Sequence, residues 1–186
     1  MRRNLRMNQY VFPMPVMLVS TYSDDGTPDI MVVTWGGLCT KYLDKIVLNI
    51  DSFHRTAKNI SVKGAFTVSI PDSSHWQCVD FLGSVSADDV GDKVAKIGFH
   101  TVKSEFVDAP VISDLPVSIE CRVIDISRHD MLCVTGQIIN VSADETALND
   151  NGELRMNTTN AIVYEHYTNK YIALGEELGE ALKFRS

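Results

Sequence analysis

The sequence has few of the features that mark metal, thiol or nucleic-acid chemistry. Its 186 residues include four cysteines, none in a C-x-x-C pair, which argues against a zinc knuckle or a thioredoxin-like motif. Its five histidines form no H-E-x-x-H motif, so support for a metal site is weak. A formal net charge of −7 argues against nucleic acid, whose binding needs clustered Lys and Arg. We expect reduced, mostly buried thiols, no metal and no nucleic-acid partner.

Long apolar runs and the common nucleotide-binding fingerprints are missing as well. The N-terminal arginines precede an apolar stretch, but Pro13 and Pro15 interrupt it and no small-residue cleavage site follows. This segment is therefore interpreted as a first strand, and we expect a cytoplasmic protein with no membrane partner. Neither G-x-G-x-x-G nor G-x-x-x-x-G-K-[ST] occurs.

Short β-strands dominate the pattern that is present. Close spacing, Gly and Asp turns and the lack of βαβ alternation favour a mainly β single domain over 1–186, in which an antiparallel sheet closes into a small barrel with short peripheral helices. Thr56 can cap a short helix that ends at Gly64. Strands are predicted at 15–22, 30–35, 45–50, 65–71, 116–127, 131–142 and 161–167, helices near 76–82 and 88–98, and a weakly helical tail at 175–184.

The segment "NIDSFHRTAKNI" (49–60) is a candidate anion site. Arg55 offers a planar set of donors, Thr56 offers a hydroxyl, and the helix that begins here offers backbone N–H groups with a positive dipole end. In the alternative interpretation, Ser52 or Thr56 only caps the helix and the Arg55 side chain is solvated.

A second hydroxyl-rich loop, "GSVSADDVGDK" (83–93), is able to complete the same anion site. Ser84, Ser86 and Lys93 lie just before or within a predicted helix and would add donors and a cation. In an equally good alternative interpretation, Ser86 or Asp88 only caps that helix and Lys93 is an exposed charge.

Three further features are candidates for contact with a ligand. Two glycines follow Trp35, which indicates a bend or a place where a flat group approaches the backbone at Gly36. In the alternative interpretation, Trp35 is a core residue and the glycine pair is a simple turn. His129 lies at the tip of a predicted hairpin, where histidines are usually solvated, and Tyr164 lies in a late strand.

Taken in order, these segments resemble one family. "PVMLVSTYSDDGTPDIMVVTW", "SFHRTAKNI", "DFLGSVSADDVGDK", "LPVSIECRVIDISRHDMLCVTGQI" and "YIALGEELG" are similar to the flavin reductase-like, FMN-binding split-barrel proteins, and among them to the flavoredoxins. Each segment is weak alone, and the resemblance rests on their order from about Tyr10 to Gly179.

The resemblance implies a homodimer of six-stranded antiparallel split barrels with Greek-key connections and FMN at or near the subunit interface. It places Arg55 and Thr56 at the FMN phosphate and Lys93 as an added cation nearby. Thr34, Trp35 and Gly36 match the strand end beside the isoalloxazine ring, and His129 and Tyr164 match positions that bound the flavin, with His129 supplied by this or by the second subunit.

One position departs from the family pattern. Where the flavoredoxins have Pro-Asn-Ile-Met, this chain has Pro-Asp-Ile-Met, with Asp29 in place of the amide. An ionised carboxylate accepts hydrogen bonds but donates none, so a direct contact of Asp29 with the flavin is in doubt. A negative charge beside the ring would also disfavour the anionic reduced flavin.

The resulting hypothesis is an FMN-dependent oxidoreductase that passes electrons from NAD(P)H to a second flavin, an iron complex or a protein. The flavin carries the chemistry, so no catalytic side chain is required. With no separate nicotinamide domain, NAD(P)H would bind only transiently. One alternative is an FMN-binding electron carrier that is reduced by a partner protein, and another is a small-barrel binding module without flavin.

Overall fold

The computed structural model describes residues 2–6, 12–155, 159–179 and 181. The elements are mostly short strands, with helices confined to the connections. The strands are β1 (Met14–Pro15), β2 (Met17–Tyr22), β3 (Pro28–Val33), β4 (Gly36–Leu38), β5 (Lys45–Ile50), β6 (Ala65–Ser69), β7 (Thr101–Lys103), β8 (Pro110–Ile112), β9 (Val117–Arg128), β10 (Leu132–Ala143), β11 (Ile162–Glu165) and β12 (Lys170–Ala173). The helices are α1 (Arg55–Lys63), α2 (Trp76–Ser84), α3 (Ala87–Val90) and α4 (Lys93–Ile97), with a 3-10 turn at Glu145–Ala147.

The main sheet curls until its two edges meet. Its seven antiparallel strands run in the order β3-β2-β6-β9-β10-β5-β4, so β3 and β4 form opposite edges. Thr34 and Trp35 alone separate these two strands in sequence. A two-residue link spans little more than 10 Å, so the edges must lie side by side there. The predicted mainly β, antiparallel split-barrel fold is confirmed. With β4, the main sheet has seven strands in place of the six expected.

The first half of β2 is buried on both faces, which explains the apolar run at 16–19. Met17 and Val19 point into the barrel interior, whereas Leu18 and Val16, which directly precedes β2, belong to a second apolar cluster outside the barrel. α2 and α4 cover this outer cluster with Val79, Leu82 and Val94. The predicted helices therefore pack against the outer face of β2 and β3.

The four cysteines are free thiols within the described ranges. Cys121 is fully buried in the barrel core, where burial, with a smaller contribution from the negative charge of Glu120, raises its pKa to about 12. Cys78 and Cys133 are half-buried, whereas Cys39 is exposed, contrary to the expectation for a mostly buried set.

The helix ends agree with the sequence at one end of α1 and differ elsewhere. Gly64 ends α1 in the left-handed conformation, with φ 66°, as predicted. The N-cap is His54 and not Thr56. Thr56 lies within the first turn of α1, and its hydroxyl donates to the carboxylate of Asp29 in β3. The helix predicted over 88–98 is divided into α3 and α4 at Gly91, which has φ 73°.

Two remaining expectations concern the tail and the membrane. Residues 174–179 have no regular structure, and most of the predicted helix beyond them lies outside the described residues. Of the helices in the described part of the chain, none has the length and apolar character needed to span a bilayer.

Candidate functional site

Two adjoining cavities lie where the end of β3 meets the start of α1 and the end of α2. The larger is an open cleft of about 580 Å³ and the smaller has a volume of about 80 Å³. They share the lining residues Met31, Val32, His54 and Gly83, so together they form one continuous site with two ends.

The small cavity lies at the N-terminal end of α1. None of the described side chains caps this end, and its first turn carries no acidic residue among those described. The free N–H groups and the positive end of the helix dipole favour an anion. The polar side chains that line the cavity are those of Asp29, His54, Arg55, Thr56, Ser86 and Lys93.

Lys93 is a buried cation that faces a buried carboxylate. Its Nζ lies 3.3 Å from Asp29 Oδ1, and the two side chains are only 5% and 2% exposed. The Thr56 hydroxyl donates to the other oxygen, Asp29 Oδ2, at 2.5 Å. The alternative in which Lys93 is an exposed charge is therefore wrong, because Lys93 lies at the start of α4, which packs against β3, and is buried there.

Arg55 also faces a carboxylate of the chain, but in a more open setting. Its Nε and Nη2 donate to Asp88 Oδ1 at 2.8 and 2.6 Å, with the two side chains 35% and 50% exposed. The bond from Arg55 lowers the pKa of Asp88. Ser86 caps α3 by accepting from the Asp88 N–H, which leaves its own hydroxyl proton available.

The large cleft has aromatic walls. Trp35 is 38% exposed at its edge, contrary to the alternative that it is a core residue. Tyr164 and Tyr171 face each other across the β11–β12 pair with ring centroids 5.4 Å apart. Burial, with smaller contributions from Asp80 and Tyr164, raises the pKa of Tyr171 to about 12, so its hydroxyl stays protonated at neutral pH.

Gly36 has a packing role. A Cβ at this position would lie 2.5 Å from the Val47 carbonyl oxygen and 2.8 Å from Met17 Cε. The group that approaches the backbone closely is therefore the neighbouring strand β5, and the position accommodates no side chain without movement of the backbone. Gly36 supports the site by holding β4 beside the Trp35 corner.

The structure brings most of the predicted site residues together, at two ends. Asp29, Arg55, Thr56, Ser86 and Lys93 line the small cavity, and Thr34, Trp35, Ser84 and Tyr164 line the large cleft. Gly36 and His129 are not part of either lining as the described residues form it. His129 is exposed at the tip of the β9–β10 hairpin, near Met131, which does line the cleft.

Sequence reasoning missed several members of the site. The sequence pattern suggests only a capping role for Asp88, whereas in the structure it is the ion-pair partner of the lining residue Arg55. Tyr171 and Asn169 are further members that the sequence analysis lacks, and the turn after Tyr164 is the signal for them, because it predicts a hairpin that places Tyr171 opposite Tyr164. Asn169 Oδ1 accepts from the Tyr164 hydroxyl at 2.9 Å. The described part of the chain contains no cluster of three or more potential metal ligands.

Comparison with known proteins identifies the family of this fold. The model of flavin reductase like domains matches residues 7–171. Flavoredoxin of Desulfovibrio vulgaris (Miyazaki F) is 31% identical, with a TM-score of 0.93 over 99% of each chain. Flavoredoxin from Methanosarcina acetivorans is 25% identical, with a TM-score of 0.88 over 98% of this chain and 97% of that one.

A more distant structure has the same fold. An FMN-binding domain of a flavin reductase-like enzyme from Shewanella baltica OS155 is 21% identical, with a TM-score of 0.77 over 89% of this chain and 88% of that one. The family match covers most of the sequence and includes both ends of the site described above. The chain therefore belongs to the flavin reductase-like domain family.

Proposed function

We propose that this chain binds FMN and acts as an FMN-dependent oxidoreductase. The observation that carries the proposal is the junction of a small, cation-bearing cavity at a helix N-terminus with a larger cleft walled by aromatic side chains. A phosphomonoester attached to a flat ring system requires these two environments side by side. The volume of the cleft, about 580 Å³, is ordinary for a small-molecule site.

The residues of the small cavity fit a phosphate group. The uncapped backbone N–H groups at the start of α1 and the free hydroxyl proton of Ser86 are available as donors. Arg55 adds a charged, planar donor set, because only some of its N–H groups are engaged by Asp88. Lys93 adds positive charge, which is partly compensated by Asp29.

The residues of the large cleft fit the ring system. Trp35 and the tyrosine pair provide flat apolar surface, and Thr34 lies at the strand break beside them. The Tyr171 hydroxyl keeps its proton, so it is able to donate a hydrogen bond to a ligand and adds no negative charge. When bound, FMN supplies the hydride-transfer and electron-transfer chemistry, and this chain positions and shields it.

NAD(P)H as the electron donor, and a flavin, an iron complex or a protein as the acceptor, are further parts of the proposal. The exposed edge of the cleft at Trp35 supports access by a second molecule. A cytoplasmic location is also part of it, and the free thiols of the described cysteines agree with a reducing compartment.

Spectroscopy under anaerobic conditions tests this function. Purified protein mixed with FMN should quench the flavin fluorescence, and addition of NADH or NADPH should bleach the bound flavin. The matched control is FMN with nicotinamide and no protein. Binding without bleaching by either nicotinamide would instead favour an electron carrier reduced by a partner protein, and lack of binding would contradict the flavin proposal.

A homodimer is the second part of the proposal. In the isolated chain, aliphatic side chains on the two longest strands are exposed, which supports burial against a second copy. These residues are Ile124, Ile126, Ile139 and Val141. The exposed position of His129 is compatible with contact to the cleft of a second subunit. Sedimentation equilibrium should give twice the mass of one chain, and a monomer at micromolar concentration would contradict this expectation.

A further inference from the structure

The charges of the small cavity balance within the chain itself. Two cations, Arg55 and Lys93, face it, and each has a carboxylate partner, Asp88 and Asp29 respectively. The two pairs differ sharply in setting. Asp29 and Lys93 are almost completely buried, whereas Arg55 is half-buried and Asp88 is exposed.

Asp29 is also incompletely bonded. Oδ1 lies 3.3 Å from Lys93 Nζ, but out of line for a hydrogen bond, and it has no hydrogen-bond partner among the described residues. Oδ2 accepts from the Thr56 hydroxyl. A buried carboxylate oxygen that lines a cavity without a donor acts on whatever the cavity contains, because little water is present to screen its charge.

We propose that Asp29 is a specificity-determining residue that limits how strongly this pocket prefers a phosphorylated ligand to an unphosphorylated one. It does so by compensating the charge of Lys93 and by occupying the single proton of the Thr56 hydroxyl. The proposal rests on the proposed function, since it concerns the choice between FMN and riboflavin at the same site.

Two physical effects act in the same direction. The Thr56 hydroxyl has one proton, and while it is donated to Asp29 it is unavailable to a phosphate oxygen. The negative charge of Asp29 opposes a dianion in the same small cavity and offsets the attraction of Lys93. A neutral amide at position 29 removes the repulsion and leaves the charge of Lys93 uncompensated.

Asp88 provides a matched control, because it is the carboxylate partner of the other cation, Arg55, but does not itself line the small cavity as the described residues form it. Its bond to Arg55 is solvent-exposed, so water screens the pair and the side chain is free to turn away when another anion approaches. The changes Asp29→Asn and Asp88→Asn each remove one negative charge that is paired with a cation of the small cavity. We infer that the buried position has much the larger effect on ligand choice.

The test measures dissociation constants for FMN and riboflavin by fluorescence quenching at neutral pH. In Asp29→Asn the ratio of the riboflavin constant to the FMN constant should rise about tenfold, whereas in Asp88→Asn it should change less than about threefold. An unchanged or lower ratio in Asp29→Asn, or an equal rise in both variants, would overturn the proposal.

The double change Asp29→Asn with Lys93→Met keeps the pocket charge of the wild type and leaves no buried charge unpaired, so it keeps the test available if Asp29→Asn folds poorly. Its ratio should stay within about threefold of wild type. A loss of tenfold or more would show that Lys93 holds the phosphate despite Asp29, and would contradict the proposal.

Inorganic phosphate separates this inference from the flavin proposal. At constant ionic strength, phosphate should raise the melting temperature of Asp29→Asn more than that of the wild type. Equal shifts would overturn the role of Asp29. If none of the variants binds either flavin, the flavin proposal fails, while the phosphate result still decides whether Asp29 controls anion binding.

Discussion

Replacing Lys93 with methionine should lower the free energy of unfolding by about 3–5 kcal/mol, the usual result of removing one partner of a buried ion pair. The change leaves Asp29, which is 2% exposed, with the Thr56 hydroxyl as its main polar contact. Methionine has nearly the length of the lysine stem, so the loss reflects the missing charge rather than a cavity. Denaturant unfolding monitored by circular dichroism measures the change.

Two controls define the origin of this loss. The double change Lys93→Met with Asp29→Asn should recover most of it, because no unpaired charge remains. Lys58→Met removes an exposed lysine from α1 and should change the free energy of unfolding by less than about 0.5 kcal/mol. A cost below about 1 kcal/mol for Lys93→Met would mean that the pair contributes little and that water reaches Asp29.

Replacing Arg55 with alanine should weaken FMN binding by about ten- to a hundredfold, because a charge-assisted contact to a phosphate is worth about 1.5–3 kcal/mol. The Asp88 carboxylate that loses its guanidinium partner is half exposed, so solvent screens its charge and the loss reflects the missing Arg55 contact. Riboflavin carries no phosphate, so its dissociation constant should change less than about threefold. Fluorescence titration with both flavins measures the two effects.

Lys58 again supplies the matched control for Arg55. Lys58→Ala removes one positive charge from the same helix, but Lys58 is exposed and does not line the small cavity as the described residues form it. FMN binding should then weaken by less than about threefold, because solvent screens the lost charge. Equal losses of FMN and riboflavin affinity in Arg55→Ala would contradict a phosphate contact and indicate a general disturbance of α1.

Local sequence pattern predicted the fold where the pattern and the burial agree. The strands over β2, β5, β6, β9 and β10 follow from β-branched apolar runs, and Gly64 ends α1 because the left-handed conformation suits glycine. The sequence pattern does not predict β4 as a strand, because two of its three residues are glycines, which have low β-strand propensity. Its place is decided by pairing with β5.

The site residues were predictable by type but not by partner. Arg55, Ser86 and Lys93 follow from the loops that carry them, since cations and hydroxyls beside a helix start suit an anion. That Lys93 is buried against Asp29 depends on α4 packing on β3, and sequence spacing does not report that contact. The pairing of Arg55 with Asp88 is likewise a tertiary contact between α1 and α3.

The two-residue link between β3 and β4 couples ligand binding in the cleft to the stability of the barrel. Thr34 and Trp35 join the opposite edges of the sheet, and the Trp35 carbonyl accepts from the Asn49 backbone N–H at 2.8 Å. Both link residues also form part of the cleft wall. A molecule that packs against them adds contacts at the point where the two unpaired edges of the sheet are joined. Ligand binding in the cleft and the stability of the β3–β4 junction are therefore coupled. A bound ligand stabilises the junction, and a more stable junction favours ligand binding.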